Sequence, residues 1–183
     1  MNVSSALKEL FKQNFFCSAE NIYLKDSIGR TLSKPLTINK SIPDFDTSSM
    51  DGFAVKKSSL GKINRFTILG ETPAGAKSEY AIEPSECVRV YTGSRMPKNA
   101  DFVVMQENTW TEGNSMYLDA FDKKNPYVRK KGLDFKKGQT ISNSMFIDYK
   151  LISALASLNL EKVSVVKKPR VSIIPTGNEV LAL

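Results

Sequence analysis

Histidine is absent from this chain of 183 residues, which removes the commonest general base near neutral pH and the commonest transition-metal ligand. Any chemistry must rest on carboxylates, hydroxyls, lysines and arginines. Only two cysteines occur, Cys17 and Cys87. They lie far apart and outside any CxxC spacing, so neither a disulfide framework nor a structural zinc site is expected, and a reducing cytoplasm is the expected setting. The single tryptophan, Trp110, sits in Thr109-Trp110-Thr111-Glu112 beside acid rather than base. Nucleic-acid binding, which interleaves aromatics with cations on one face, is therefore not expected. Long apolar runs are missing as well. Val163 to Val166 and Val171 to Ile174 fall far short of the roughly 20 residues that cross a bilayer, so no membrane span is expected. The N-terminus lacks the basic cluster, apolar core and small-residue cleavage site of a secretory signal.

What is present suffices for one or two folded domains, with 41% hydrophobic and 25% charged residues. The net charge is +7, spread along the chain except in Arg129-Lys130-Lys131, Lys136-Lys137 and Lys167-Lys168-Pro169-Arg170. Charge this diffuse favours a small phosphorylated ligand over nucleic acid.

Apolar residues at Val3, Ala6, Leu7, Leu10, Phe11 and Phe15 follow a helical rhythm, with Ser4 or Ser5 as N-cap. A short strand is expected around Ile22 to Asp26, and Gly29-Arg30 turns the chain into an extended piece ending near Ile38. From Ser41 to Lys137 the pattern is of short β-like runs: Phe53 to Lys56, Arg65 to Leu69, Cys87 to Tyr91, Asp101 to Gln106, Ser115 to Leu118 and Tyr127 to Arg129. A second helix is predicted after Asp148, with Leu151, Ile152, Leu155 and Leu158 on one face, followed by strands Lys162 to Val166 and Arg170 to Ile174. Two isolated amphipathic helices flanking a β insert are expected to bury their faces on each other. The fold class is thus mixed α and β. Residues 1–40 and 138–168 form a discontinuous α+β first domain, residues 41–137 an inserted all-β domain, and residues 169–183 the first strand and turn of a further α/β unit.

Three segments concentrate chemistry. The run Pro43 to Val55 carries carboxylates and hydroxyls around Asp51-Gly52, either a hairpin turn or a carboxylate held at a strand edge. Tyr91-Thr92-Gly93-Ser94-Arg95-Met96-Pro97 could hold a phosphate through its backbone N–H groups, or be an ordinary surface turn, since it matches no phosphate loop of defined spacing. Arg129-Lys130-Lys131-Gly132-Leu133-Asp134 places three cations before a glycine and a lone carboxylate, an anion site or a solvated edge.

Taken in order and spacing, these segments resemble the front of the molybdopterin molybdenumtransferase family, the bacterial MoeA proteins and the E domain of gephyrin. The run Asp44 to Val55 looks like the family's P-x-F-D-x-S-x-M-D-G-Y-A-V. The likeness continues through Gly29-Arg30, Gly70 to Gly75, Val88 to Ser94, Met96-Pro97, Asp101 to Glu107, Arg129 to Asp134, Leu155 to Leu160 and Pro169 to Val171. It ends in Pro175-Thr176-Gly177-Asn178-Glu179-Val180, similar to S-T-G-D-E-L. The resemblance implies a transferase of molybdenum cofactor biosynthesis that accepts adenylylated molybdopterin, inserts molybdate and releases AMP with a divalent cation, Mg²⁺. It also implies a homodimer and an upstream molybdopterin-adenylating partner. Residues 169–183 would then begin the molybdopterin-binding α/β domain, and the chain, as the front part of that enzyme, is expected to be inactive alone. A non-catalytic scaffold of the gephyrin type is the alternative. Carried over by motif, Asp51, Asp134 and Glu179 are the candidate catalytic and metal-binding carboxylates. Thr92, Gly93, Ser94, Arg129 and Lys130 are the candidate substrate or anion contacts. The chain departs from the family at Leu133, where Glu is common before the Asp, and at Asn178, where Asp is common before the Glu.

Overall fold

The structure is a computed structural model and describes residues 2–13 and 17–174. It is mostly β with two helices: α1 (Val3–Lys12), β1 (Ala19–Tyr23), β2 (Leu36–Thr37), β3 (Thr47–Ser48), β4 (Gly52–Val55), β5 (Arg65–Thr72), β6 (Glu86–Val90), β7 (Phe102–Met105), β8 (Thr109–Glu112), β9 (Ser115–Leu118), β10 (Val128–Arg129), β11 (Thr140–Ile141), α2 (Tyr149–Ser157) and β12 (Lys162–Val166). The chain divides into two compact units. One comprises the described residues of Met1–Leu36 and Thr140–Leu183, the other Thr37–Gln139. Among the described residues no helix is long and apolar enough to cross a membrane.

In the first unit β1 and β12 pair antiparallel, Ala19 opposite Val166 and Tyr23 opposite Lys162. The carboxylate of Asp148 caps α2 by accepting from the N–H groups of Lys150 and Leu151 at 3.0 and 2.8 Å, satisfying donors that a helix start leaves orphaned. Leu155 and Leu158 are buried, as are Leu24, Leu32, Ile147, Val163 and Val165 of the same unit, and α2 rests on the short 3₁₀ turn Leu24–Asp26.

Helix α1 forms, capped by Asn2 rather than Ser4 or Ser5, but buries none of its residues, so the predicted packing of the two helices on each other is not observed. Leu10 and Phe11 stand 56% and 84% exposed. Helix α2 rests instead on the Leu24 turn, with Leu155 and Leu158 buried. A second expectation also fails. Val171 to Ile174 forms no strand and is exposed, because no partner strand runs beside it among the described residues. Pro175 to Val180 lies outside the described residues.

The second unit is a six-stranded sheet in the order β7-β4-β6-β5-β9-β8. All its pairs are antiparallel except β5 with β6, where the register shifts between Ile68 and Glu71. Strand alternation sorts the apolar residues onto two faces. Phe53, Val55, Phe66, Cys87, Phe102, Val104 and Met116 pack on one, and Ala54, Ile82, Val88, Val90, Met96 and Val103 on the other. Burial pushes the Cys87 thiol up to about 12, so it is inert at neutral pH.

Candidate functional site

Gly52 opens β4 between β6 and β7, opposite Val90 on one side and Met105 on the other. It has no positive φ, so the hairpin reading of Asp51-Gly52 is set aside and the strand-edge reading of Asp51 is the one observed. The glycine is needed for room, since a Cβ there would stand 2.0 Å from the Val104 carbonyl oxygen. Asp51 therefore sits at the end of a central strand whose position is fixed by its neighbours on both sides.

The Thr92 N–H and hydroxyl both donate to Asp51 Oδ1, at 2.7 and 2.9 Å. These two hydrogen bonds, backbone first, hold the Asp51 carboxyl below the usual carboxylate range, and the Arg89 charge adds to them. The second oxygen, Oδ2, accepts no hydrogen bond among the described residues. Nearby, the Tyr91 hydroxyl donates to Glu71 Oε2 at 2.7 Å, which pushes the Tyr91 phenol up. Asp51 and Thr92 are thus brought together across about forty residues of sequence, at the ends of two adjacent strands of one sheet.

The turn that follows has a different role from the expected one. The Tyr91 N–H donates to Ser94 Oγ at 2.9 Å, and Ser94 Oγ donates back to the Tyr91 carbonyl at 2.6 Å. The Gly93 N–H donates to the Ser48 carbonyl and the Ser94 N–H to the Tyr91 carbonyl. With Thr92 N–H on Asp51, every N–H from Tyr91 to Ser94 has an acceptor, so the phosphate-holding nest expected of Thr92-Gly93-Ser94 has no free amide. Ser94 is fully buried; Gly93, at φ +85°, supplies the left-handed turn. The segment aims Thr92 at Asp51 and does not present donors to solvent.

The third segment is built around Asp46, which was not among the residues singled out from the sequence. Asp46 accepts from Lys130 Nζ and from the Lys131 N–H, both at 2.8 Å, while β3 and β10 pair so that Arg129 faces Thr47. Burial pushes the Asp46 carboxyl up, but the Lys130 hydrogen bond, the Lys131 N–H and the Lys130 charge outweigh it and leave Asp46 below its ordinary value. The sequence signals Asp46 only as one acid of the run Pro43 to Val55, without the partner that gives it a role. Arg129 Nη2 donates to both Asp134 oxygens, at 2.7 and 3.0 Å. Arg129, Lys130 and Asp134 therefore form one exposed edge, with Arg129 paired to Asp134 and Lys130 to Asp46, and Leu133 is exposed beside them.

A depressed acid stabilises the fold above its unfolded value and loses that contribution as pH falls through its folded value. Asp46→Asn is therefore expected to melt lower than the parent at neutral pH and to lose less on acidification below about pH 4. Parallel thermal melts across that range check it; equal slopes would show that Asp46 does not hold the Lys130 turn.

The Mg²⁺ expectation can be tested on the donor set. Among the described residues no group of three or more acids or cysteines could hold a metal ion. Asp134 has both oxygens on Arg129 and Asp51 has one on Thr92, so these carboxylates alone do not make a site for a hard cation, which takes about six or more oxygens. Glu179 lies outside the described residues.

The family model of the MoeA N-terminal region (domain I and II) matches residues 1–159. Among curated relatives, the molybdopterin molybdenumtransferase of Bacillus subtilis is 34% identical over 172 residues, covering 88% of this chain and 40% of the relative. That of Nostoc is 32% identical over 161 residues, covering 85% of this chain and 37% of the relative. A crystal structure of molybdopterin biosynthesis MoeA protein from Pyrococcus horikoshii superposes with a TM-score of 0.79 at 23% identity, over 99% of this chain and 50% of that one. A second, at 28% identity, has a TM-score of 0.74 over 91% of this chain and 45% of that one. The fold is that of the MoeA structures. The chain belongs to the MoeA N-terminal family, and it spans less than half the length of the Bacillus and Nostoc relatives.

Proposed function

We propose that this chain is the front of an enzyme of molybdenum cofactor biosynthesis that inserts molybdate into adenylylated molybdopterin with release of AMP, and that it is inactive alone. The observation that carries the reading is Asp51 held by Thr92 at the end of a central strand, within a chain whose curated relatives are named molybdopterin molybdenumtransferase. An ionised carboxylate with one free oxygen can accept a proton or orient a donor on the substrate, and Thr92 fixes which oxygen stays free. Arg129 and Lys130, paired to Asp134 and Asp46 in the free chain, would meet an anionic substrate by exchanging those partners, and Glu179 completes the candidate set by motif. The same reading carries a homodimer, an upstream molybdopterin-adenylating partner, a cytoplasmic setting and an α/β domain beginning at residues 169–183.

The test is genetic and physical together. In the complete protein, Asp51→Ala should abolish complementation of a strain lacking this activity while expression is retained and the melt falls only by what the two lost Thr92 hydrogen bonds contribute at the surface. Lys137→Ala, which removes a side chain that touches none of these groups, should complement normally. Normal complementation by Asp51→Ala would remove it from the site.

A further inference from the structure

The basic segment Lys167-Lys168-Pro169-Arg170 takes no part in the proposed chemistry, yet it lines two adjoining cavities in the first unit. One, of about 220 Å³, is walled by Cys17, Ser18, Lys167, Lys168, Pro169 and Arg170. The other, of about 180 Å³, is walled by Gly29, Arg30, Thr31, Val166, Lys167, Lys168 and Pro169. The backbone between them is held from both sides. The Lys167 N–H donates to the Ser18 carbonyl at 2.8 Å and the Val166 N–H to the Thr31 carbonyl at 2.8 Å. The chain leaving β12 therefore runs as a rib between a Cys17-Ser18 wall and a Gly29-Arg30-Thr31 wall.

The charge along this rib has one sign. Among the described residues no acid lines either cavity. Arg30 is neutralised by Glu20 and donates to the Val166 carbonyl at 2.8 Å, so it stiffens the wall. Lys167, Lys168 and Arg170 form no ion pair among the described residues, unlike Arg129 and Lys130. Three cations without an ion-pair partner among the described residues therefore line one stretch of open surface beside Ser18 and Thr31. Such clustering raises the local potential and selects anions, and the flexible ammonium and guanidinium donors suit phosphoryl oxygens. The two cavities share Lys167, Lys168 and Pro169, so neighbouring phosphoryl groups could be held on either side of one rib.

We infer that the paired cavities around Lys167, Lys168 and Arg170 form a binding site for a small phosphorylated ligand carrying adjacent phosphoryl groups. The site shares no residue with the Asp51 constellation, and its failure would leave that reading untouched.

Cys17 makes it testable, because it lies in the wall and is exposed while Cys87 is buried. In this chain, alkylation of Cys17 by anionic iodoacetate is compared with alkylation by neutral iodoacetamide, each normalised to free cysteine. At low salt the normalised ratio should favour iodoacetate by about threefold or more, the scale of a few unit charges nearby. Inorganic pyrophosphate should slow both reagents saturably, and more effectively than inorganic phosphate. Chloride at equal ionic strength should leave the iodoacetamide rate unchanged. The combined change Lys167→Ala, Lys168→Ala, Arg170→Ala should remove both preference and protection. If it does not fold, the parent's saturable protection against the chloride control still decides. A normalised ratio near one, slowing that follows ionic strength alone, or protection by a single-stranded oligonucleotide at lower concentration than pyrophosphate would each overturn the inference.

Discussion

Gly52→Ala is expected to unfold the β unit or to lower its stability by about 3 kcal/mol or more, a large effect for the addition of one methyl group. The new Cβ would stand 2.0 Å from the Val104 carbonyl oxygen and 3.0 Å from the Met105 Cα. These are backbone atoms of β7, itself pinned by its ladder to β4. A flexible side chain could swing away; a strand cannot move without parting from Gly52, Phe53, Ala54 and Val55 together. The alternative origin of the glycine, a hairpin turn with positive φ, carries a smaller penalty of about 1 kcal/mol. Urea unfolding distinguishes the two, and a loss near the smaller figure would show that β4 and β7 do not approach as described. Because Asp51 precedes Gly52, a substitution that parts these strands should also remove the Asp51–Thr92 hydrogen bonds.

Leu155→Ala should destabilise the first unit by roughly 2–5 kcal/mol, whereas Leu10→Ala should change stability by less than about 0.5 kcal/mol. Both leucines sit on helices with regular apolar faces. Leu155 is fully buried, and removing its branched end leaves a cavity beneath α2, which rests on the Leu24 turn. Leu10 already meets solvent on more than half its surface. Thermal melts of the two variants separate the cases. A comparable loss in Leu10→Ala would mean that α1 is covered in solution by something the isolated chain can supply, such as a second copy.

The contrast shows what periodicity can and cannot reveal. The apolar rhythm of Val3 to Phe11 and of Leu151 to Leu158 correctly marks two helices, and Asp148 marks where the second begins. Neither rhythm says which surface covers it. The partner of α2 is the Leu24 turn, whose Lys25 and Asp26 read as solvent-facing. The short β runs at Phe53, Arg65, Cys87, Phe102 and Ser115 were legible because alternation and bounding turns are local. The parallel pairing of β5 with β6 was not, since nothing local distinguishes parallel from antiparallel partners.

For the candidate site, the motif around Asp51 and the Thr-Gly turn were legible as segments, while their relation was not. Thr92 and Asp51 meet because β4 lies beside β6, a fact of topology. The amides of Thr92 and Gly93 look free in sequence because the acceptors that engage them, the Asp51 carboxylate and the Ser48 carbonyl, are about forty residues away. Asp46 escaped notice for the same reason. Its partners Lys130 and Lys131 lie on the far side of the sheet's whole sequence, and an acid without a visible partner looks like ordinary surface.

The pairing of β1 with β12 has a consequence for the order in which the protein is made. About 140 residues separate the two strands, and at a synthesis rate of ~5–20 residues per second β1 waits roughly 7–28 s for its partner to leave the ribosome. The whole of Thr37–Gln139 emerges in that interval, with every strand of its six-stranded sheet available. The inserted unit can therefore finish folding while the unit that brackets it is still a pair of unconnected ends. During translation, the first part of the chain to be made belongs to the last unit to close, and β1 must be kept from pairing with the wrong edge until Lys162–Val166 arrives.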